Sequence, residues 1–328
     1  MSAAPLALAM RAARDFRGLL QHRLIVLGVL WVVIAGVNAR ISPYFLQWNT
    51  VTGVLQFSSV IGLLGLGESL VVLGGGGGID LSVGAMLSFA AVMIGFMVRA
   101  GIPVWGAAAA GVGFSAGLGA VNGLLVTGIG IPPLVATLAT LYAYSGVAVA
   151  LTQGVPIAGF PAAFGILGQM DVLGIPLQVL LFLLPAYIVF HTALSYTPFG
   201  RHVYLVGDNE AAARLVGVRV GRVRLMLYTV SGLLAGVGAV IMNSWLLTAR
   251  PDAGAGTELM AITIAVLGGF NIFGGEGSLT GALAATIVIV TLQNGLQLAN
   301  INPVWQLGFI GILLIVSVAL NQLLVYHK

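Results

Sequence analysis

The chain has 328 residues, of which 59% are hydrophobic and 7% are charged, and its formal net charge at pH 7 is +4. Soluble domains carry roughly 25% charged residues, so a composition this apolar, with a mean hydropathy of +1.09, excludes a soluble globular protein and predicts an integral membrane protein. Because the chain contains no cysteine, disulfides, thiolate metal sites and cysteine nucleophiles are excluded as well.

The amino-terminal segment 1–23 is basic. Its charged side chains are Arg11, Arg14, Asp15, Arg17 and Arg23. An apolar run begins at Leu24, and no small-residue cleavage site stands before a soluble domain. We therefore expect a retained first helix rather than a cleaved signal peptide.

Apolar runs along the rest of the chain predict an all-α, polytopic membrane protein with about ten transmembrane helices. The predicted helices lie near 24–39, 51–73, 81–98, 104–127, 134–151, 177–194, 225–247, 259–273, 279–298 and 304–324. An even number of spans places both termini on one side of the membrane. The predicted domains are a cytoplasmic basic segment at 1–23 and a transmembrane domain at 24–328 with a cytoplasmic loop at 195–224.

The distribution of positive charge gives the orientation. With the amino terminus inside, only Arg40, Arg99 and Arg250 lie outside, while the other arginines and Lys328 are cytoplasmic. Basic residues favour the cytoplasmic side of a membrane. We therefore predict that both termini are cytoplasmic.

A run of five glycines at Gly74–Gly78 follows the second predicted helix. Each glycine costs a helix about 1 kcal/mol relative to alanine, so the helix cannot continue through the run. Broken or re-entrant backbone at membrane depth is tolerated only where protein or a water-filled cavity covers it. The run therefore predicts a covered break in the membrane domain, and a second glycine-rich break is predicted near 274–277.

Polar residues within or beside the apolar runs are candidates for a polar route through the membrane. These translocation candidates are Glu68, Asp80, Ser82, Glu258 and Asn294. An acid near the middle of an apolar stretch, such as Glu68, is a functional candidate by default. Each acid also has a structural interpretation, because Asp80 and Glu258 precede helices that they could cap and Glu68 could be a hydrogen-bonded structural acid. The sequence leaves both interpretations open.

The loop at 195–224 concentrates charge that cannot lie in hydrocarbon, where each charged residue costs about 2.5–3.5 kcal/mol. Its charged residues are Arg201, Asp208, Glu210, Arg214, Arg219, Arg222 and Arg224. Within it, 209–216 predicts a short helix with an Asp or Asn cap, Glu210 in the first turn, Arg214 in the last turn and Gly217 as its stop. A helix this short is marginal alone, so we expect it to dock on a partner.

Several classes of chemistry are excluded by what the sequence lacks. The only lysine is Lys328, so no Walker A loop exists and the glycine run is not a nucleotide cradle. The four histidines are far apart and form no recognisable metal motif, and no serine has the context of a nucleophile. We therefore predict a protein that is not an enzyme, with no catalytic residue, no metal and no nucleic-acid partner.

Motifs spread from about residue 53 to 322 carry a family resemblance. The first is Gly-Gly-Ile-Asp-Leu-Ser-Val-Gly at 77–84, and the second is Pro-Leu-Val-Ala-Thr-Leu at 133–138. The third consists of Gly200-Arg201, Gly207, Asn209-Glu210-Ala211-Ala212 and Gly217-Val218, and the fourth extends from Glu258 to Gly281. In content and order they resemble the permease subunits of bacterial ABC importers for ribose and other monosaccharides. Glu68, Gly74–Gly76 and Thr263-Ile264 depart from the family pattern, so the solute need not be ribose.

The resemblance implies the transmembrane subunit of an ATP-driven importer that moves a monosaccharide or a related polyol or furanose across the bacterial inner membrane. It implies cytoplasmic ABC ATPase subunits, which would use ATP and magnesium while this chain binds no cofactor. It also implies a periplasmic or extracellular sugar-binding protein and a second permease copy, identical or related.

By position, the short loop helix corresponds to the family's coupling helix, which fits a groove of the ATPase. The implied coupling residues are Asn209, Glu210, Ala211, Ala212, Arg214, Leu215 and Gly217. Ala211, Ala212 and Leu215 share one helical face, and Glu210 and Arg214 are spaced to form a pair. The alternative is an interfacial helix whose arginines hold anionic membrane lipid.

Two other classes of protein remain open. An ion- or proton-coupled secondary transporter of a small polar solute would use Glu68, Asp80 or Glu258 to exchange a proton, and it would need no ATPase. An intramembrane enzyme would need a catalytic constellation, which the sequence does not offer.

Overall fold

A computed structural model describes residues 23–325, with side-chain surroundings for 24–319. The predicted cytoplasmic charges Arg11, Arg14, Arg17 and Lys328 lie outside the described residues, as does the side chain of Arg23.

The described chain is almost entirely helical, as predicted. The helices are α1 Arg23–Ile41, α2 Trp48–Leu73, α3 Val83–Arg99, α4 Val104–Leu124, α5 Pro133–Thr152, α6 Ile166–Gln169, α7 Leu184–Tyr196, α8 Pro198–Asp208, α9 Glu210–Leu215, α10 Val220–Leu246, α11 Thr257–Leu267, α12 Leu279–Leu298 and α13 Pro303–Val325. A π-helical turn at Leu125–Ile129 extends α4, a 3-10 turn at Ala162–Gly165 precedes α6, and a π-helical turn at Val179–Leu183 precedes α7.

The only strands in the described residues are four of two residues each, and the sequence did not predict them. β1 Ile157–Ala158 pairs antiparallel with β4 Thr248–Ala249, and β2 Asp171–Val172 pairs antiparallel with β3 Ile175–Pro176. Two paired residues are too few for a strand pattern. β2 and β3 are joined by the two-residue turn Leu173-Gly174, with φ of 53° and 80°, whereas β1 and β4 come from distant segments.

Seven helical segments of the described chain are long and apolar enough to cross a membrane, which fits a polytopic membrane protein. They are Leu24–Ile41, Trp48–Leu73, Val104–Ile129, Pro133–Thr152, Val179–Tyr196, Val220–Leu246 and Leu279–Leu298. Val83–Arg99, Thr257–Leu267 and Pro303–Ala319 are shorter apolar helices. Each predicted span has a counterpart among these, but the number that cross the membrane stays a prediction.

The glycines that follow α2 and α11 explain where these helices end. Gly75, Gly76 and Gly77 have φ of 66°, 67° and 70°, which only glycine adopts readily, and they separate α2 from α3 where the sequence predicts a break. α11 ends at Leu267, several residues earlier than predicted, because Gly268 and Gly269 follow and Gly269 has a φ of 95°. The loop 195–224 is also more helical than predicted, since α8 lies inside it and α10 begins at Val220.

The second helix, α2, is the centre of the bundle, and every residue from 58 to 73 is buried. It packs against α10, α11 and α12. By contrast, only 11% of the apolar window of α1 is buried. Large apolar side chains on the outer helices, such as Val32, Tyr142 and Ile188, are exposed, as expected for surfaces that face lipid.

Small residues bring α4 and α10 into close contact. A Cβ on Gly232 would lie 2.9 Å from Cα of Gly119, and one on Gly236 would lie 2.8 Å from Cβ of Ser115. The four-residue spacing of these small residues in the sequence indicates such a face. The structure confirms that this set serves helix packing.

Candidate functional site

Asp80 is the centre of a buried polar cluster that joins α2, α3, α4 and α10. Its Oδ1 accepts hydrogen bonds from the backbone N–H of Ser82 (3.0 Å), the Ser82 hydroxyl (2.7 Å) and the side-chain amide of Asn122 (3.5 Å). Its Oδ2 accepts from the hydroxyl of Ser231 at 3.0 Å. Asn122 also donates to the Ser82 hydroxyl oxygen at 2.6 Å. All four residues are buried, so we call them, together with Glu68 and Tyr144, the Asp80 cluster.

Glu68 joins the Asp80 cluster from α2. The backbone N–H of Asp80 donates to both carboxylate oxygens of Glu68, at 3.3 Å and 3.1 Å. Both acidic residues are fully buried, and no salt bridge within the described residues reaches either of them. Their partners are therefore hydrogen-bond donors rather than cations.

The cluster fastens the broken segment between α2 and α3 to two further helices. The Asp80 carboxylate accepts from the Ser82 N–H just ahead of α3. The N-cap of α3 is Ser82 and it has no side-chain cap hydrogen bond, so the predicted cap by Asp80 is wrong. In this conformation Glu68, Asp80 and Ser82 face one another inside protein rather than an open route. Their role in translocation stays a prediction.

The other two translocation candidates lie apart from one another. Glu258 is half-buried inside the first turn of α11, after the N-cap Gly256, so the prediction that it precedes and caps this helix is wrong. A Cβ on Gly84 of α3 would lie 3.0 Å from its Oε2. Asn294 lies in the last third of α12, on the wall of a separate cavity with Trp245. The structure thus brings three of the five candidates together.

Sequence reasoning missed three members of the Asp80 cluster. Asn122 and Ser231 bind the acid directly, and the Tyr144 hydroxyl donates to the Leu118 carbonyl (3.1 Å) and to Asn122 Oδ1 (3.4 Å). The available signal was an asparagine in a stretch without formal charge, since an amide inside a membrane needs a partner.

Three glycine-containing segments meet at the end of the bundle that carries α8 and α9, which we call the loop end. The N–H of Gly275 donates to the Leu73 carbonyl at 3.1 Å. A Cβ on Gly75 would lie 2.8 Å from Cα of Gly207, and a Cβ on Gly275 would lie 2.6 Å from Cα of Asp208. The backbones of the three segments are therefore in direct contact at this point. We call Gly75, Gly207, Gly274 and Gly275 the glycine junction.

The short helix α9 has the predicted ends. The Asn209 side-chain oxygen accepts from the Ala212 N–H at 3.0 Å, which confirms the cap. Gly217 follows the helix with a φ of 83°, and its N–H donates to the Arg214 carbonyl at 3.1 Å. This left-handed glycine is the predicted stop.

Glu210 links α9 to the membrane domain. Its carboxylate lies 2.7 Å from a nitrogen of Arg214, as predicted, and 2.8 Å from a nitrogen of Arg224 on α10. Arg224 in turn donates to the Gly74 carbonyl at 3.2 Å. The hydrogen bond from Arg214, and then the charge of Arg224, hold the pKa of Glu210 below its usual value. Glu210 and Arg224 therefore connect the glycine break after α2 to the loop 195–224.

One side of α9 packs on the protein and the other is bare. Ala213 is fully buried, whereas Leu215 is 89% exposed, Val216 is 70% exposed and Ala211 is exposed as well. Ala212, assigned to the same face as Leu215, is half-buried. The exposed leucine and valine are adjacent in a charged loop and form a small apolar surface.

A groove of about 450 Å³ lies beside this surface. Its walls combine the apolar Phe199, Val223 and Met226 with the polar His202, Arg219 and Arg222. Among the described residues, no group of three or more His, Asp or Glu side chains could hold a metal ion. The loop end therefore exposes a surface that is both apolar and cationic.

Comparison with known proteins places these features in a family. Residues 50–318 match the model described as the branched-chain amino acid transport system permease component. The chain is 36% identical over 309 residues to the ribose import permease protein RbsC of Bacillus subtilis, and this alignment covers 94% of each chain. It is 34% identical to the D-allose transport system permease protein AlsC of Escherichia coli, covering 89% of both chains, and 35% identical to the autoinducer 2 import system permease protein LsrD of Photorhabdus luminescens, covering 81% of both. No solved structure gives a significant match.

Proposed function

The chain belongs to the family of branched-chain amino acid transport system permease components, and we propose that it is the membrane subunit of an ATP-driven importer for a monosaccharide or a related polyol or furanose. Similarity over nearly the whole length to permeases named for ribose, D-allose and autoinducer 2 supports this solute class. The amino acid in the family description is the less favoured solute, because all three of these relatives are named for other compounds.

The bare surface of α9 is the observation that carries the proposal. Leu215 is 89% exposed on a six-residue helix whose opposite side is anchored by the buried Ala213. A helix held rigidly with its apolar side outward fits a groove on another protein. We assign this surface to a cytoplasmic ATPase, which would bind and hydrolyse ATP with magnesium outside this chain.

The contacts behind α9 supply a route for mechanical coupling. A displacement of α9 would act on the break after α2 through Glu210, Arg224 and the Gly74 carbonyl. It would act on the break before α12 through the glycine junction. Segments that hinge at glycine can tilt without unravelling a helix, which is what alternating access requires.

The remaining partners follow from this assignment. A soluble sugar-binding protein would deliver the solute from the outside, and a second permease copy, identical or related, would complete the pore. The groove with Arg219 and Arg222 is the place where anionic lipid would bind if α9 were a membrane-surface helix instead.

Replacing Leu215 by glutamate tests the assignment. The substitution Leu215→Glu buries a charge in the proposed ATPase contact, and we expect a loss of about 2 kcal/mol in association, roughly thirtyfold weaker binding. The matched control is Leu173→Glu, because Leu173 is 98% exposed in the β2–β3 hairpin. Copurification with the ATPase and sugar uptake are measured. Normal uptake by Leu215→Glu would overturn the assignment of α9.

The orientation can be tested cleanly because the chain has no cysteine. Single cysteines at the exposed positions Leu215 and Leu173 are expected to react with a membrane-impermeant thiol reagent from opposite sides. Leu215→Cys is protected in intact cells and Leu173→Cys is labelled. The reverse pattern would place the loop outside and exclude the ATPase as its partner.

A proton-coupled transporter is the rival function, because two buried acids, Glu68 and Asp80, lie in contact within the bundle. It predicts uptake into vesicles that depends on a proton gradient and persists without any ATPase. The importer predicts uptake that stops when the ATPase is absent.

A further inference from the structure

A second cavity, of about 340 Å³, opens at the end of the bundle opposite the loop end. Its chemically distinctive residues are Phe57 of α2, Trp245 near the end of α10, and Gln293, Asn294 and Gln297 of α12. We call it the far-end cavity. Its volume lies within the usual range of small-molecule sites, about 300–1,000 Å³.

Two polar atoms on the wall of the far-end cavity lack partners. Gln293 Oε1 and Asn294 Oδ1 are buried and have no hydrogen-bond partner in the structure. Buried amides are normally paired, and each exception asks for an explanation. The terminal torsion of an amide side chain is broad and roughly two-fold, so a half-turn about the terminal bond exchanges the oxygen and the nitrogen and presents either one to the cavity.

The lining also restricts the charge of an occupant. Its side chains are two aromatic rings, three carboxamides and small apolar groups, with no acidic or basic residue. An amide both donates and accepts hydrogen bonds, which suits hydroxyl groups, and an aromatic face suits the C–H face of a sugar ring. A zwitterionic amino acid carries an ammonium and a carboxylate group. Neither group would meet an opposite charge in this cavity, so its desolvation would cost free energy.

The cavity lies where an incoming solute would first meet the chain. Along α2, Gly53 on its wall is separated from Gly74 at the loop end by about 30 Å, at a rise of about 1.5 Å per residue. If the loop end is cytoplasmic, the far-end cavity faces the outside.

From these features we infer that the far-end cavity is a recognition subsite for a neutral, polyhydroxylated solute, in which Gln293 and Asn294 bind hydroxyls and Trp245 stacks on the ring. The inference rests on the proposed function and adds a site to it. Because the family description names an amino acid, the subsite also discriminates between two classes of solute.

Tryptophan fluorescence of the purified full chain in lipid nanodiscs tests the subsite directly. D-ribose should produce a saturable change, whereas L-leucine should not. Trp245→Phe should remove the change, and Trp305→Phe, at a residue that is 70% exposed and lies off the cavity wall, should keep it. A leucine response equal to the ribose response, or no saturable response to D-ribose or D-allose, would overturn the inference.

The amides are tested with a double variant. Gln293→Ala with Asn294→Ala should weaken ribose binding about tenfold, since one net hydrogen bond to an uncharged group is worth about that factor. Asn49→Ala removes an exposed amide from the same end of α2 and should leave binding unchanged. If the double variant fails to insert, Asn294→Leu serves instead, because leucine has nearly the shape of asparagine but its side chain neither donates nor accepts a hydrogen bond. Unchanged ribose affinity in an inserted amide variant contradicts the inference.

Uptake into proteoliposomes separates this inference from the proposed function. With the ATPase and binding protein present, the double variant should raise KM for ribose while its ATPase association stays normal. If wild-type uptake needs ATP and the double variant is kinetically unchanged, the subsite is wrong and the importer stands. If wild-type uptake persists without the ATPase, the importer is wrong, and the fluorescence result still decides the subsite.

Discussion

The Asp80 cluster and the far-end cavity contain buried polar groups that differ in whether they have partners. In the Asp80 cluster the carboxylate of Asp80 accepts from Ser82, Asn122 and Ser231. On the cavity wall the side-chain oxygens of Gln293 and Asn294 have no partner. A satisfied polar cluster holds helices together, whereas an unsatisfied one has bonding capacity left for a ligand. Burial of a polar residue in a membrane protein does not by itself distinguish the two; its partners do.

Removing the centre of the Asp80 cluster should have the largest effect. Asp80→Ala leaves the buried donors of Ser82 and Ser231 without their acceptor and removes one of the two acceptors of the Asn122 amide. We expect the membrane domain to lose about 3 kcal/mol or more of stability. Thermal unfolding in detergent measures the loss. Asp80→Asn keeps one acceptor oxygen and should retain part of the stability. An unchanged unfolding temperature for Asp80→Ala would refute a structural role.

Adding a side chain at the glycine junction should give the next largest effect. It should reduce transport of the solute and leave binding of the ATPase unchanged. Gly207→Val places carbon atoms against the Leu73 carbonyl and Gly275, so the segments must separate. We expect uptake to fall by about tenfold or more, equivalent to about 1.4 kcal/mol, while the ATPase still binds. Gly221→Ala is the control, because its added Cβ would meet only an ordinary contact with Thr127, at 3.7 Å. Equal uptake by the two variants would contradict main-chain coupling.

Acidification should loosen α9 by a smaller amount. Because the folded-state pKa of Glu210 is lowered, first by Arg214 and then by Arg224, its ion pairs stabilise the loop fully above the ordinary carboxyl value of 4.5 and progressively less as the pH falls below it. The carboxylate is partly exposed, so we expect about 0.5 kcal/mol. Hydrogen exchange of α9 amides, corrected for intrinsic rates, measures it. Glu210→Gln should abolish the pH dependence, and a persistent dependence would assign it to another group.

The smallest effect is expected for Glu68→Gln. The carboxylate of Glu68 accepts from the backbone N–H of Asp80, and a glutamine oxygen can accept the same bond. Uptake driven by the ATPase should therefore change by less than about twofold, well below the factor of ten that a lost interaction of 1.4 kcal/mol would give. Abolished uptake with normal stability would instead favour a proton-carrying acid and the rival transporter.

Local features of this molecule could be predicted from the sequence, and pairings between distant segments could not. The cap at Asn209, the stop at Gly217, the pair of Glu210 with Arg214 and the break at Gly74–Gly78 depend on neighbouring residues and agree with the structure. The partners of Asp80 come from positions 42 and 151 residues away. No periodicity or spacing encodes such contacts, because they depend on how whole helices pack.

The same distinction applies to the glycines. The crossing of α4 and α10 follows from a four-residue repeat within each helix, so the sequence indicates it. The glycine junction brings together positions from three segments. The sequence indicates the breaks at 74–78 and 274–277, but it does not indicate that they meet each other and Gly207. The pairing of Glu210 with Arg224 is hidden for the same reason.

The glycine junction also defines what must be exchanged together if the importer is re-engineered. A chimera that takes the loop of another permease, in order to recruit that permease's ATPase, would bring that loop's own residue to position 207. Any side chain there would strike the Leu73 carbonyl and Gly275 of the host. The smallest transplantable unit is therefore the loop with a glycine at 207, set into a host that has glycines at 75, 274 and 275.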